Sequence, residues 1–440
     1  MKNTSLLERA GTMFPSGPLA IPPLPAPIDR VWRIPGSKSI TNRALVLAAL
    51  SEGTTTLVGV LESDDTRHMQ QALLELGIEV RKASATTLEV AGGRRRLKPP
   101  KGPLFVGNSG TTVRFLTALA CLVEGPVTLV GDEAMAKRPI VDLVAGLSQL
   151  GVRIECPTGC PPLTIYGGRL PGGHVRMRGD RSSQYFSALL LASALSERET
   201  VLDIEGELVS RPYVEITRRM VASFGGNIEA SGSGFQWQGG GSYRAQTYSI
   251  EPDASSASYA FALAAATGSR VQVPGLGLLA MQGDYGFVEV LERIGVRAER
   301  ELDATTVTGT GQLRGIEVDM FNISDTVMTL AAIAPLAEGP THIANVANIR
   351  IKETDRLTAT VAELRRLGQT VSEGADWLRI EPRPIQAAVV QSYKDHRMAM
   401  SFAVLGAAQA GVSIEDPACV AKTYPEFWAD LGALYPASPW

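Results

Sequence analysis

Lys38 and Arg43 open one Ala/Leu-rich stretch of this 440-residue chain, Arg114 a second and Arg397 a third; Arg138, Lys352, Arg356 and Lys422 stand in loops or at other helix starts. A cation at a helix N-terminus opposes the helix dipole, so several together point to a negative ligand. One alone reads as a solvated surface charge, but Arg43 and Arg397 are embedded in apolar helices. The segment GNSGTT (107–112) offers close backbone approach to an anion and lacks the Gly-Lys-Ser/Thr ending of a P-loop. Carboxylates lie among the cations. Asp325 begins an apolar stretch, Glu353 sits in KETDR (352–356), and DHR (395–397) sets a carboxylate beside His396 and Arg397. Lys352 and Arg356, at i and i+4, share a face if that segment is helical. No Ser-His-Asp set or HExxH is evident. The chemistry these residues allow is proton transfer by Asp, Glu, His or Lys, with cations stabilising developing negative charge.

A repeat must position them. Six times a cluster of Ser, Thr, Asn or Asp precedes an apolar stretch, at Ser37, Asn108, Ser182, Asp253, Ser324 and Asp395, with starts 71 to 74 residues apart. A second series keeps step: an amphipathic segment ends in an apolar residue plus Gly at Gly77, Gly151, Gly225, Gly295 and Gly368, followed by an alternating strand. Such a Gly suits the left-handed position just past a helix. Each unit therefore reads as strand, buried helix, strand, surface helix, then one or two strands, and the sixth lacks a closing strand. Six units predict two α/β domains of three units each, with sheets wrapped around buried helices. If the repeats are alike, the six helix starts point in related directions and can gather an anion into one cleft.

Composition sets the class. With 45% apolar and 20% charged residues the chain is an ordinary globular one, and its formal charge of −3 argues against a general nucleic-acid binder. The basic run RRRLKPPK (94–101) lacks aromatics and reads as a solvated loop. Four scattered cysteines and four histidines provide neither a disulfide framework nor a metal set, so a reducing compartment, no metal and no cofactor are expected. No apolar run reaches the ~18–20 residues of a membrane span. Residues 1–30, rich in Pro and without a signal-peptide core, read as a loosely structured extension, and a cytoplasmic location follows.

Ordered motifs then carry a resemblance. PGSKSITNRALVLAAL (35–50), LFVGNSGTTVRF (104–115), KRPIVDL (137–143), RSSQYFSALL (181–190), SRPYVEIT (210–217), DASSASY (253–259), ISDTVMTLA (323–331), NIRIKETDRL (348–357), KDHRMAM (394–400) and DPACVAKTYPEF (416–427) resemble the 5-enolpyruvylshikimate-3-phosphate (EPSP) synthase family, in its order, from about residue 31 to 430. The resemblance implies a two-domain inside-out α/β barrel, each domain three βαβαββ-type repeats. Residues 1–36 would form an extension and the first strand of domain 1, 37–250 domain 2, and 251–440 the remainder of domain 1. The chain would cross between lobes near 34–37 and 249–253, where a hinge is expected, and a monomer is expected on family grounds.

By the same resemblance the substrates are shikimate 3-phosphate and phosphoenolpyruvate. Lys38, Ser39 and Arg43 would hold shikimate 3-phosphate, together with Ser182, Ser183, Gln184, Ser210 and Tyr213, and with Asp325, Asn348 and Lys352 from the other lobe. Lys38, Gly110, Arg138, Gln184, Arg356, Arg397 and Lys422 would bind phosphoenolpyruvate. Asp325 is implied as the base for the 5-hydroxyl and Glu353 as proton donor to the methylene carbon, with His396 lining the site. Ser109 and Phe115 depart from the family's frequent Ala and Pro. Glyphosate occupies the phosphoenolpyruvate pocket in this family, and retention of Gly110 predicts sensitivity to it. The alternative is the sister enolpyruvyl transferase acting on UDP-N-acetylglucosamine, which normally uses a mobile-loop cysteine. An RNA-end cyclase and an anion-binding scaffold are more distant readings.

Overall fold

The computed structural model describes residues 17–440. Six helices sit at the predicted period: Lys38–Leu50, Gly110–Ala120, Ser183–Leu191, Ala254–Thr267, Val327–Ile333 and His396–Ala408. Nearly all their residues are buried, as their Ala/Leu-rich, all-round apolar sequences require. The surface helices end as the second series predicts. Gly77, Gly151, Gly225, Gly295 and Gly368 all have φ between +85° and +105°. After the first, the N–H groups of Gly77 and Ile78 reach the carbonyls of Leu74 and Leu73, both at 3.0 Å, which satisfies two otherwise orphaned acceptors.

The sheets repeat one pairing scheme. In the unit of Ser183–Leu191, strand Gly173–Arg178 runs parallel to Thr200–Glu205, which pairs antiparallel with Gly234–Trp237 and through it with Glu229–Ser231. The sheets built on Ser51–Val58, Pro126–Val130, Arg270–Pro274 and Thr341–Ala344 follow the same order. The sixth lacks its own hairpin, as its sequence predicts: Ala388–Val390 runs parallel to Val412–Ile414, and the antiparallel neighbour is Leu19–Ile21. Asp29–Val31 is likewise the parallel partner of Arg270–Pro274. Residues 19–21 and 29–31 are thus strands and not part of the loose extension that composition suggested. They fill vacant sheet edges whose unpaired N–H and C=O groups need partners. The part of that expectation falling on residues 1–16 lies outside the described residues. No sheet closes on itself among the described residues.

Buried apolar side chains form two clusters, one within residues 40–250 and one joining residues 19–34 to 254–434. The two chain crossings between them lie side by side. Ser37 N–H donates to Glu251 O at 2.8 Å, and Asp253 N–H to Pro35 O at 2.9 Å. Among the described residues no helix is long and apolar enough to cross a membrane.

Candidate active site

A cavity of about 300 Å³ lies where the six buried helices begin. Lys38, Thr111, Ser183, Ser255, Asp325 and His396, one from each start, stand in its wall. Caps tie the starts together. Asp253 accepts from Ser256 N–H of its own helix at 2.8 Å and from Lys38 N–H of another at 3.2 Å. Ser109 and Asp395 cap their own helices by accepting from Thr112 and Arg397 N–H. Ser37 makes no such bond.

All the sequence-predicted site residues line this cavity except Gly110 and Lys422, which stand directly behind it. A Cβ on Gly110 would meet Arg138 Nη2 at 2.6 Å. Lys422 Nζ lies 3.4 Å from Glu353 Oε1 and donates to Asn108 O at 2.9 Å.

On the side of the first cluster, Lys38 Nζ pairs with Asp65 at 3.2 Å. Arg43 is buried and, among the described residues, donates only to neutral acceptors: Thr217 Oγ1 at 2.7 Å, Ser39 O at 2.9 Å, Ser187 Oγ at 3.0 Å and Tyr213 O at 3.1 Å. Phe115 lies under its guanidinium, 5.1 Å from the ring centre, which gives that departure from the family pattern a packing role. Arg114 donates to Gln184, and Arg138 to Asn108 Oδ1 at 3.2 Å. Ser182 caps the third helix from Gln184 N–H at 3.3 Å. Ser210 is left-handed at φ 51° and accepts from Asn348 Nδ2 of the other cluster at 3.1 Å.

The second cluster supplies the carboxylates. Asp325 accepts from Arg397 at 2.9 Å and Arg356 at 3.1 Å, with Lys352 Nζ at 3.8 Å. Burial alone would raise its carboxyl, but Arg397, Lys352 and Arg356 pull it well below the usual range. Burial would likewise raise Glu353, yet Arg356, Lys422 and Arg138 hold it low. Arg356 also binds Asp395 at 2.7 Å. Segment 352–355 is not helical: the helix begins at Arg356 behind its cap Asp355. Lys352 and Arg356 therefore meet at Asp325 by a loop path and not along one helical face. His396 is buried with neither ring nitrogen bonded. Burial, then Arg397 and Lys38, push its pKa well down, so it is a neutral imidazole.

Among the described residues, Nε of Arg114, Arg138 and Arg397 has no acceptor. Burying these guanidinium groups without a full set of partners is costly, and an anion in the adjoining cavity would offset that cost. Sequence reasoning missed Asp284, which accepts from Tyr213 and Ser255, and Gln282, whose Oε1 takes Ala254 N–H at 3.1 Å. Both lie in a loop outside either periodic series. No cysteine lines the cavity among the described residues.

Comparison with known proteins bears on the family and the fold. The sequence model described as EPSP synthase (3-phosphoshikimate 1-carboxyvinyltransferase) matches residues 25–431. Proteins named 3-phosphoshikimate 1-carboxyvinyltransferase are similar along nearly the whole length. That of Trichormus variabilis is 45% identical over 93% of this chain and 97% of its own. That of Yersinia pestis is 43% identical over 92% and 96%. The solved EPSP synthase of Acinetobacter baumannii superimposes with a TM-score of 0.82 at 26% identity, covering 96% of this chain and 99% of that one. The fold is that of an enolpyruvyl transferase. The chain belongs to the EPSP synthase family.

Proposed function

We propose that the chain transfers the enolpyruvyl group of phosphoenolpyruvate to the 5-hydroxyl of shikimate 3-phosphate and releases phosphate. The observation that carries this reading is the convergence of Lys38, Arg138, Arg356 and Arg397 on one cavity that also holds the carboxylates of Asp325 and Glu353. The cations suit the phosphates and carboxylates of two anionic substrates. Shikimate 3-phosphate would lie against Lys38, Ser39, Arg43, Ser182, Ser183, Gln184, Ser210 and Tyr213, with Asn348 and Lys352 opposite. Phosphoenolpyruvate would lie between Lys38, Arg138, Gln184, Arg356, Arg397 and Lys422, close to Gly110.

Asp325 takes the proton of the 5-hydroxyl as its oxygen adds to the enol ether carbon, and Glu353 protonates the methylene. The methyl group of the tetrahedral adduct then returns a proton to the Glu353 carboxylate as the bond to phosphate breaks, which restores the double bond and expels phosphate, whose charge the Arg and Lys cluster stabilises. Both carboxyls are held ionised by their cations. Bound substrate anions offset those cations and raise Glu353, which allows it to carry the proton it donates. His396 borders the reacting atoms as a neutral group.

The same reading divides the chain into domain 2 (37–250) and domain 1 (1–36 with 251–440), each an inside-out α/β barrel of three repeats. The paired crossings at 35–37 and 251–253 would act as hinge, and closure would exclude water. Glyphosate would compete with phosphoenolpyruvate. A monomeric, cytoplasmic enzyme rests on the family alone. Phosphate release assayed with phosphoenolpyruvate plus shikimate 3-phosphate, plus UDP-N-acetylglucosamine, or alone tests the assignment. Release is expected only with the first, and release only with the sugar nucleotide overturns it.

A further inference from the structure

Three groups stand in a row in the cavity wall. Tyr213 Oη lies 3.0 Å from Asp284 Oδ2 and 3.2 Å from Asp325 Oδ2. A phenol has one proton and can donate to only one of the two carboxylates. The other contact sets lone pair against lone pair unless a second proton sits in the row. Asp325 is a poor place for it, because Arg397 and Arg356 donate to that carboxylate and Lys352 stands close. Asp284 makes no ion pair among the described residues. It is 3% exposed, its Oδ1 has no partner, and its Oδ2 faces only the hydroxyls of Ser255 and Tyr213.

The row is rigidly seated. Asp284 lies in the turn Gly283–Gly286, and a Cβ on Gly283 would meet Pro212 Cβ at 2.4 Å, so the turn packs directly on the start of the helix that carries Tyr213. We propose that in the substrate-loaded site Asp284 is a neutral carboxylic acid that donates to Tyr213 Oη and so aims the phenol proton at Asp325. Asp284 is then a positioning residue for Asp325, through one run of donors all pointing the same way. The inference rests on the reading of Asp325 as the base.

The surroundings favour the neutral form. Tyr213 comes from helix Arg211–Ser223, Ser255 from Ala254–Thr267, Asp325 from the turn Phe321–Thr326 and Arg397 from His396–Ala408. Burial, then the Asp325 charge, lift the Asp284 carboxyl to about 6 against the pull of Arg397. Bound phosphates would lift it further. With Asp284 neutral, Asp325 Oδ2 receives both Tyr213 and Arg397 while Oδ1 faces Arg356 and Lys352. That fixes the plane of the carboxylate that must meet the substrate hydroxyl.

Full-length D284A, D284N, Y213F and D284A/Y213F, each checked by thermal melting, test this. D284A should lower kcat by roughly 10- to 100-fold, with KM for shikimate 3-phosphate changed by less than about threefold. Asparagine keeps a donor to Tyr213 Oη and cannot ionise, so D284N should recover at least about tenfold of that loss. In the Y213F background D284A should cost less than about threefold. The infrared spectrum of the wild-type enzyme with shikimate 3-phosphate should contain a protonated-carboxyl band that D284N lacks. D284N as slow as D284A, an equal cost of D284A with and without Tyr213, or absence of that band each overturns the proposal. A wild type that releases no phosphate with either acceptor overturns the assigned reaction instead, and the infrared band still decides the protonation of Asp284.

Discussion

Arg43 and Arg356 are both almost fully buried, at 1% and 2% exposure, in the walls of one cavity, and their surroundings are opposite. Arg356 is enclosed by Asp325, Glu353 and Asp395 at 2.7 to 3.1 Å. Burial alone would lower its pKa, but those carboxylates raise it. Arg43 touches hydroxyls, carbonyls and two aromatic rings, and burial lowers it to about 10. One arginine is already neutralised, while the other is a desolvated charge that has no counter-ion among the described residues. Burying an unpaired charge costs several kcal/mol and is sustained only where something offsets it. In the first half of the chain that partner is expected to be the substrate; in the second half the cations instead keep the reactive carboxylates ionised.

The strongest way to break the comparison is R356A. It leaves three buried carboxylates short of a cation, so urea denaturation should show a loss of about 3–5 kcal/mol. Asp325 and Glu353 have depressed pKa values, so the stability they contribute is present above the ordinary carboxylate range and lost as pH falls through their low folded values. R356A should therefore begin acid unfolding at a higher pH than the wild type. Unchanged acid unfolding would show that the ion cluster is not what holds these groups ionised.

D325N comes next. It removes the proposed base while keeping the shape, and single-turnover phosphate release should slow by roughly 10²- to 10⁴-fold. R43Q should lose less stability than R356A, no more than about 1–3 kcal/mol, because relief of the unpaired buried charge offsets part of the neutral hydrogen bonds it abandons. Its affinity for shikimate 3-phosphate, measured by calorimetry, should fall by roughly 10- to 100-fold. A larger stability loss for R43Q than for R356A would reverse the contrast. The mildest expected change is G110A. The new Cβ presses on Arg138 from 2.6 Å, a displacement a flexible side chain can absorb. KM for phosphoenolpyruvate and the glyphosate concentration needed for inhibition should both rise severalfold, roughly the effect of one weakened charged contact, while binding of shikimate 3-phosphate stays unchanged.

Much of the site is legible in the sequence because it is built at period-marked places. Lys38, Arg43, Asp325 and Arg397 belong to the starts of apolar stretches, and a cation inside an apolar helix is conspicuous without coordinates. Asp284 is not. Between Gly283 and Tyr285 it reads as a turn residue, and only packing against Pro212 brings it to Tyr213, 71 positions away. The KETDR segment shows the reverse case, a pairing anticipated from helical spacing that forms by another backbone route. Residues 19–21 and 29–31 do not show as strands in the local sequence pattern, although the resemblance implied one strand within residues 1–36, for a simpler reason. Each is a three-residue strand whose partners lie hundreds of residues on, so no local pattern marks it.

That displaced N-terminal segment also orders events during synthesis. Every apolar side chain of the first core lies within residues 40–250, so that half can condense as soon as it clears the ribosome. The second core cannot. Its sixth sheet waits for Val412–Ile414 before Leu19–Ile21 has a partner, and until then the nascent chain carries that early strand unpaired. The half that brings Asp325, Glu353 and Asp395 is thus the last to assemble, around a half already folded.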